Sequence, residues 1–228
     1  GGTRIDLGLE EANREILRLD KDGNPDHVAG VPPDYFSEDG QLWGNPLYDW
    51  DQHAANGYQW WIDRLRATSE LADLVRIDHF RALQAYWEIP ASATSARDGH
   101  WVEAPGRELL QAVRANYPEL RLVAENLGSI TAEVEDLRKE FGLPGMLILQ
   151  FAFDGNPDNP YLNHLHSSTD IVYTGTHDNN TTLGWFESLD QATRAKVYEY
   201  YGNPSEPMPW MLIHQAMVSP ANTAVIPW

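Results

Sequence analysis

Short apolar runs that end on acidic side chains recur along the chain. Runs of this length, with almost no polar position inside them, are typical of buried strands. The runs occupy residues 74–77, 120–124 and 171–175, and the acids that follow them are Asp78, Glu125 and Asp178. The pattern therefore predicts three strands that each deliver a carboxylate at the C-terminal end, where the active sites of parallel barrels lie.

Segments with helical spacing alternate with these runs from about residue 74 onward. Residues 105–117 and 131–141 have this spacing, and residues 146–153 and 223–226 are two further apolar runs. Alternation of strand and helix indicates βα units and a parallel sheet. The predicted fold class is therefore α/β, of the (β/α)8 TIM-barrel type. Since such a barrel has eight strands and the pattern shows about five, residues 11–228 are predicted to form only the later part of a catalytic barrel.

Residues 28–50 are dense in Gly, Pro and aromatic side chains and show no regular period. They are predicted to form a long loop, a kind of segment that is usually functional or disordered, and the aromatic content argues against disorder. Two interpretations stay open. The segment is either an aromatic lid that stacks on a bound ligand or an Ω-loop packed under its own rings.

Arg76 is the one polar residue inside its run, two positions before Asp78. Residues i and i+2 of a strand share a face, so both side chains can point into one site. The functional interpretation is a carboxylate that the guanidinium keeps ionised, with a lowered pKa, ready to attack an electrophilic carbon. The alternative is a plain structural ion pair.

Composition limits the classes of partner. The chain of 228 residues has a formal net charge of −18, which argues against nucleic acid and anionic membranes because phosphate binding needs a basic surface. No cysteine is present, so disulfides and thiolate metal sites are excluded. We find no signal peptide and no long apolar run, and a cytoplasmic location is predicted. Residues 1–10 are left unassigned, as an N-terminal segment or a cloning remnant.

Several stretches resemble one family of carbohydrate-active enzymes. The stretches are residues 30–36, 40–48, 76–81, 86–90, 124–128 and 173–179. The chain resembles the 4-α-glucanotransferases called amylomaltases or disproportionating enzymes, glycoside hydrolase family 77 of the α-amylase clan. The Arg-x-Asp and His-Asp motifs mark the wider clan, and the aromatic stretch is specific to the amylomaltases. The family is considerably longer than this chain, which lacks its N-terminal strands.

The resemblance implies a role for each matching residue. Asp78 matches the nucleophile, Glu125 the general acid and base, and Asp178 the carboxylate that stabilises the transition state. The residues implied in substrate binding are Arg76, His79, His177, Asp34, Tyr35, Phe36, Gln41, Trp43 and Asn45. No metal and no cofactor is implied.

The implied activity is transfer of α-1,4-glucan segments to the 4-hydroxyl of an acceptor glucan or glucose, of the EC 2.4.1.25 type. Maltooligosaccharides and amylose are the implied substrates, and the mechanism is a retaining double displacement. Glu125, near two other carboxylates, is expected to have a raised pKa so that it holds a proton. The sequence does not define the preferred glucan length or the oligomeric state.

Three alternatives stay open. An α-amylase-like retaining hydrolase would use the same carboxylates. A metal-dependent barrel hydrolase would use His79, His177 and Asp178 as ligands, although no H-x-H or H-E-x-x-H spacing occurs. The chain could also be a truncated, inactive barrel fragment with at most weak glucan binding.

Overall fold

The structure is a computed structural model that describes residues 14–34 and 37–227. It divides into two compact units, of which the first ends at Gly142 and the second begins at Leu143. Tyr35 and Phe36, predicted to cover the substrate, lie outside the described residues, as do residues 1–10. In the described part of the chain, no helix is long and apolar enough to cross a membrane.

The described elements of the first unit are six strands and four α-helices. The strands are β1 (His27–Val31), β2 (Gln41–Pro46), β3 (Val75–Ile77), β4 (Ala85–Pro90), β5 (His100–Glu103) and β6 (Leu122–Ala124). The helices are α1 (Trp50–Ala55), α2 (Gln59–Ser69), α3 (Gly106–Asn116) and α4 (Ala132–Glu140), with 3-10 turns at Arg14–Ile16, Phe80–Leu83 and Ala96–Asp98.

The described elements of the second unit are three strands and three α-helices. They are β7 (Met146–Ile148), β8 (Ile171–Tyr173), α5 (Thr182–Ser188), α6 (Gln191–Tyr200), α7 (Trp210–Met217) and β9 (Thr223–Val225), with 3-10 turns at Leu149–Phe151 and Asn163–Leu165.

Two parts of the aromatic segment at residues 28–50 lie in strands, β1 and β2, so the prediction that the whole segment is a long loop was wrong. Strands β1 and β2 make an antiparallel hairpin, and β1 also pairs with β4 in a sheet of order β2-β1-β4-β5. A Cβ on Gly30 would lie 2.3 Å from the carbonyl oxygen of Gln41, so only glycine allows this close approach. The pattern concealed the hairpin because almost all of β2 is exposed and the register shifts between Val28 and Gly30.

Strands β3 and β6 of the first unit are parallel neighbours. Ile77 is opposite Ala124, so the next residue of each strand reaches the same edge of the sheet. The whole of β6 is buried, and β3 is buried except at Arg76. Helix α3 lies between the two strands in the chain and buries Leu109, Leu110 and Val113. The predicted strands and helices in this region are thus confirmed.

The second unit contains a parallel sheet of order β7-β8-β9. The strands and helices pack around a core in which the most deeply buried side chains are Leu149, Val172, Val197, Met211 and Leu212. The strand predicted at residues 146–153 is shorter than expected, because the chain turns into a 3-10 helix at Leu149 while remaining buried.

Candidate active site

Asp78 lies directly after β3 and is held by an arginine of that strand. Arg76 Nη2 is 2.7 Å from Asp78 Oδ1, and the Asp78 side chain is 77% exposed. An ion pair of this exposure adds only about 0–1 kcal/mol of stability. The expected pair is therefore present, and its main effect is to fix the direction of an accessible carboxylate.

Glu125 occupies the corresponding position after β6 but is buried. Its two carboxyl oxygens accept separate backbone hydrogen bonds, Oε1 from the Leu127 N–H at 2.8 Å and Oε2 from the His79 N–H at 2.7 Å. Its own N–H donates to the carbonyl of Ile77 at 3.0 Å.

Burial raises the pKa of the Glu125 carboxyl, and the charge of Asp78 raises it further. The two backbone N–H bonds and Arg76 act in the opposite direction and reduce the shift without cancelling it. The direction agrees with the sequence-based expectation, but the main cause is burial and not neighbouring charge. The two strand ends therefore hold one exposed carboxylate paired with a cation and one buried carboxyl that retains its proton more strongly.

His79 connects the two carboxylate loops through a backbone that few residues adopt. Its φ of 47° is in the left-handed region, and this conformation directs its N–H at Glu125. Strain of this kind persists where surrounding contacts enforce it, commonly at functional sites. Burial and the nearby Arg81 charge lower the pKa of the His79 imidazole to about 4, so the ring is neutral at neutral pH.

The β1–β2 hairpin brings three of the predicted binding residues, Asp34, Gln41 and Trp43, toward these loops. The Trp43 ring meets His79 edge to face at 4.8 Å, and its Nε1 donates to Gln41 Oε1 at 3.0 Å. Asp34 lies close to the loop after Glu125, because a Cβ built on Gly128 of that loop would lie 4.0 Å from Asp34 Oδ2. Asn45 is exposed on β2.

His177 and Asp178 follow β8 in the second unit. The turn that presents them is built locally, because the Thr176 N–H and hydroxyl donate to Asn179 Oδ1 at 2.7 and 2.9 Å. His177 Nε2 is 3.3 Å from Asp178 Oδ2, and the two side chains are 74% and 69% exposed. Their position after a buried strand agrees with the sequence pattern, and their role in the site remains a prediction.

Two contacts that support the loop after Glu125 were not assigned from the sequence. Asn126 Nδ2 donates to Glu135 Oε1 at 2.8 Å, and Arg81 Nη1 donates to the carbonyl of Ser129. Arg81 lies inside the motif around Asp78, and Glu135 is one of two acids in the first turn of α4. No periodicity or spacing could assign these contacts, since both depend on tertiary structure. In the described residues, no group of three or more His, Cys, Asp or Glu side chains could hold a metal ion.

Carboxylates at the ends of adjacent parallel strands define an α/β protein whose polar site lies at the C-terminal edge of the sheet. The chain belongs to the 4-alpha-glucanotransferase family, glycoside hydrolase family 77, which matches residues 11–228. This confirms the family that the sequence motifs indicated.

Relatives and solved structures agree with this assignment. The 4-alpha-glucanotransferase of Thermus thermophilus is 50% identical over 224 residues, which are 95% of this chain and 45% of that protein. The chloroplastic/amyloplastic 4-alpha-glucanotransferase DPE1 of Arabidopsis thaliana is 46% identical over 217 residues, 95% of this chain and 38% of that protein.

Among solved structures, the amylomaltase from Streptococcus agalactiae in complex with acarbose superposes with a TM-score of 0.90 at 39% identity, covering 93% of this chain and 43% of that one. The chain thus spans less than half the length of the relatives it matches.

Proposed function

We propose that this chain carries the reaction centre of a 4-alpha-glucanotransferase, which moves α-1,4-glucan segments to an acceptor 4-hydroxyl. The observation that carries the proposal is the pairing of an exposed, arginine-held Asp78 with a buried Glu125 of raised pKa at adjacent strand ends. Relatives of 50% and 46% identity that bear this name support it. The acarbose bound to the Streptococcus agalactiae amylomaltase supports α-1,4-glucans as the substrates.

In the proposed reaction, Asp78 attacks the anomeric carbon of the donor and forms a glycosyl ester. The bond to the leaving sugar breaks with its electron pair on oxygen, and Glu125 gives that oxygen its proton. The incoming 4-hydroxyl then loses its proton to Glu125 and attacks the ester carbon, which releases Asp78. The buried Glu125 suits both roles because it alternates between a stable acid and a base in the same orientation.

The remaining predicted residues are proposed to bind sugar. Asp178 would accept hydrogen bonds from the 2- and 3-hydroxyls, interactions that strengthen as the ring flattens in the transition state. His177, Arg76 and His79 would contact the sugar or the nucleophile.

We also propose that the five parallel strands belong to the later part of a (β/α)8 barrel. The alternation of strand and helix and the TM-score of 0.90 with amylomaltase support this. A cytoplasmic location stays a prediction, and the chloroplastic name of one relative indicates that location differs among relatives.

The purified chain should convert maltotriose into glucose and longer maltodextrins, as resolved by chromatography. Asp78→Asn, which keeps the side-chain size, is the matched control and should yield no product. Glucose and maltose alone would indicate a hydrolase and overturn the transferase proposal. No product from the wild-type chain would instead support the inactive fragment.

Replacing Trp43 with Ala should raise the ratio of hydrolysis to transfer by about two- to tenfold. The half-exposed ring is positioned beside His79, where it can stack an acceptor and exclude water, and an aromatic contact of this kind is worth about 0.5–1.5 kcal/mol. The ratio is measured as reducing-end release against chain elongation. Trp210→Ala, which removes a 55% exposed ring on α7, is the control, and an unchanged ratio in Trp43→Ala would refute the lid role.

A further inference from the structure

Arg81 is a buried cation that has no acidic partner among the described residues. Its residue exposure is 7%, and its guanidinium lies 3.7 Å from the centre of the Trp101 ring. One hydrogen bond is formed, from Nη1 to the carbonyl of Ser129, while the buried Nε has no partner among the described residues. Burial lowers the pKa of this guanidinium, with no carboxylate in the described part of the chain within ion-pair distance.

This arrangement is unfavourable for stability alone. Burying a charge is costly unless it is paired and fully hydrogen-bonded, and an apolar side chain could pack against Trp101 without that penalty. Local rules of stability are broken mainly where function requires it. The location of Arg81, three residues after Asp78, indicates what that requirement is.

Three hydrogen bonds join the loop after β3 to the loop after β6. The His79 N–H donates to Glu125 Oε2 at 2.7 Å, and the Phe80 N–H donates to the Glu125 carbonyl at 3.1 Å. The third runs from Arg81 to Ser129 and is the only one of these three whose donor is a side chain. The first two have backbone N–H donors, and their geometry depends on how closely the two loops approach.

We propose that Arg81 is a positioning residue for the transfer reaction: its side chain clamps the loop that bears Glu125 to the loop that bears Asp78, so that the His79 amide stays aimed at the Glu125 carboxyl. The inference rests on the proposed function for its catalytic consequence. Without the clamp, Glu125 loses a hydrogen bond that opposes the rise of its pKa, and the acid and nucleophile lose their alignment.

Arg81→Gln should lower kcat for maltotriose transfer by about ten- to hundredfold, because small misalignments of reacting groups are costly, with KM changed by less than about threefold. The basic limb of the kcat–pH profile should move upward by about one pH unit, since the general acid keeps its proton to higher pH. Arg81→Lys, which retains a donor for the Ser129 carbonyl, should restore part of kcat and return the limb toward its wild-type position.

Arg114→Gln is the matched control. Arg114 also donates to a backbone carbonyl, that of Phe141, and its guanidinium also lies over an aromatic ring. It is on α3, however, and belongs to neither of the two loops that Arg81 joins. It should leave the pH profile unchanged. A lower kcat in Arg81→Gln with an unshifted pH profile would show that the residue only stabilises the fold and would overturn the proposal.

A second measurement does not depend on activity. In NMR spectra, Arg81→Gln should shift the His79 amide resonance, because its hydrogen bond to Glu125 weakens, and should raise the pKa of the His79 ring, because the Arg81 charge is removed. An unmoved His79 amide would overturn the clamp. Failure of the wild-type chain to act on maltotriose would overturn the proposed function, while this spectrum would still decide the clamp.

Discussion

Glu125→Gln is expected to lower transfer from maltotriose by about 10²–10⁴-fold, because the leaving sugar can no longer be protonated. The same variant should still form the glycosyl ester from α-maltosyl fluoride, since fluoride leaves without a proton. Asp78→Asn should fail with both donors, because no nucleophile remains to form the ester. The two substitutions thus separate the two roles assigned to the paired strand ends.

Fluoride release and the mass of the trapped protein adduct measure the first step directly. Glu133→Gln, an exposed acid in the first turn of α4, is the control and should retain both reactions. Equal loss with both donors in Glu125→Gln would contradict its assignment as the acid. Ester formation by Asp78→Asn would remove Asp78 from the mechanism.

The second large effect is a loss of stability on mild acidification. The pKa of His79 is about 4 in the folded chain against an ordinary value of 6.5. Between these values the unfolded chain binds a proton that the folded chain does not, so the free energy of unfolding rises with pH across this window and falls as pH drops through it. At about 1.36 kcal/mol per pKa unit, His79 alone accounts for at most about 3 to 4 kcal/mol.

Urea unfolding of the wild type and His79→Asn at several values between pH 4 and 7 tests this expectation. Asparagine tolerates the left-handed backbone of this position and does not titrate. Burial also lowers the pKa of His53 and His166, so the difference in slope between the two proteins isolates His79. The exposed His100→Asn is the control. Equal slopes for wild type and His79→Asn would contradict the expectation.

The sequence pattern predicts strands β3, β6 and β7 because they are almost entirely buried and contain few polar residues. Ile77 and Ala124 end such runs, and the acids after them could be located from the pattern alone. The same signal overestimates the strand that begins at Met146, because the 3-10 turn that starts at Leu149 is also mostly apolar and mostly buried. An apolar run reports burial and does not by itself define the backbone conformation.

The hairpin and the clamp could not be predicted from the same evidence. The exposed β2 lacks apolar alternation, and its place in the sheet depends on Gly30, whose importance appears only when the Gln41 carbonyl is seen beside it. The raised pKa of Glu125 was expected from charge, yet its main cause is burial, which a sequence shows only indirectly. Arg81 contacts Trp101 and Ser129, and these contacts exist only in the folded chain.

The two backbone amides on Glu125 have a consequence for the order of events at the site. A carboxyl with both oxygens tethered cannot swing from one side of the donor to the other between half-reactions. In the proposed reaction, the departing sugar and the incoming acceptor must therefore occupy the same subsite one after the other. An incoming glucan should bind only after the first product has left that subsite. Excess glucose should compete for the same subsite with the reducing end of the donor.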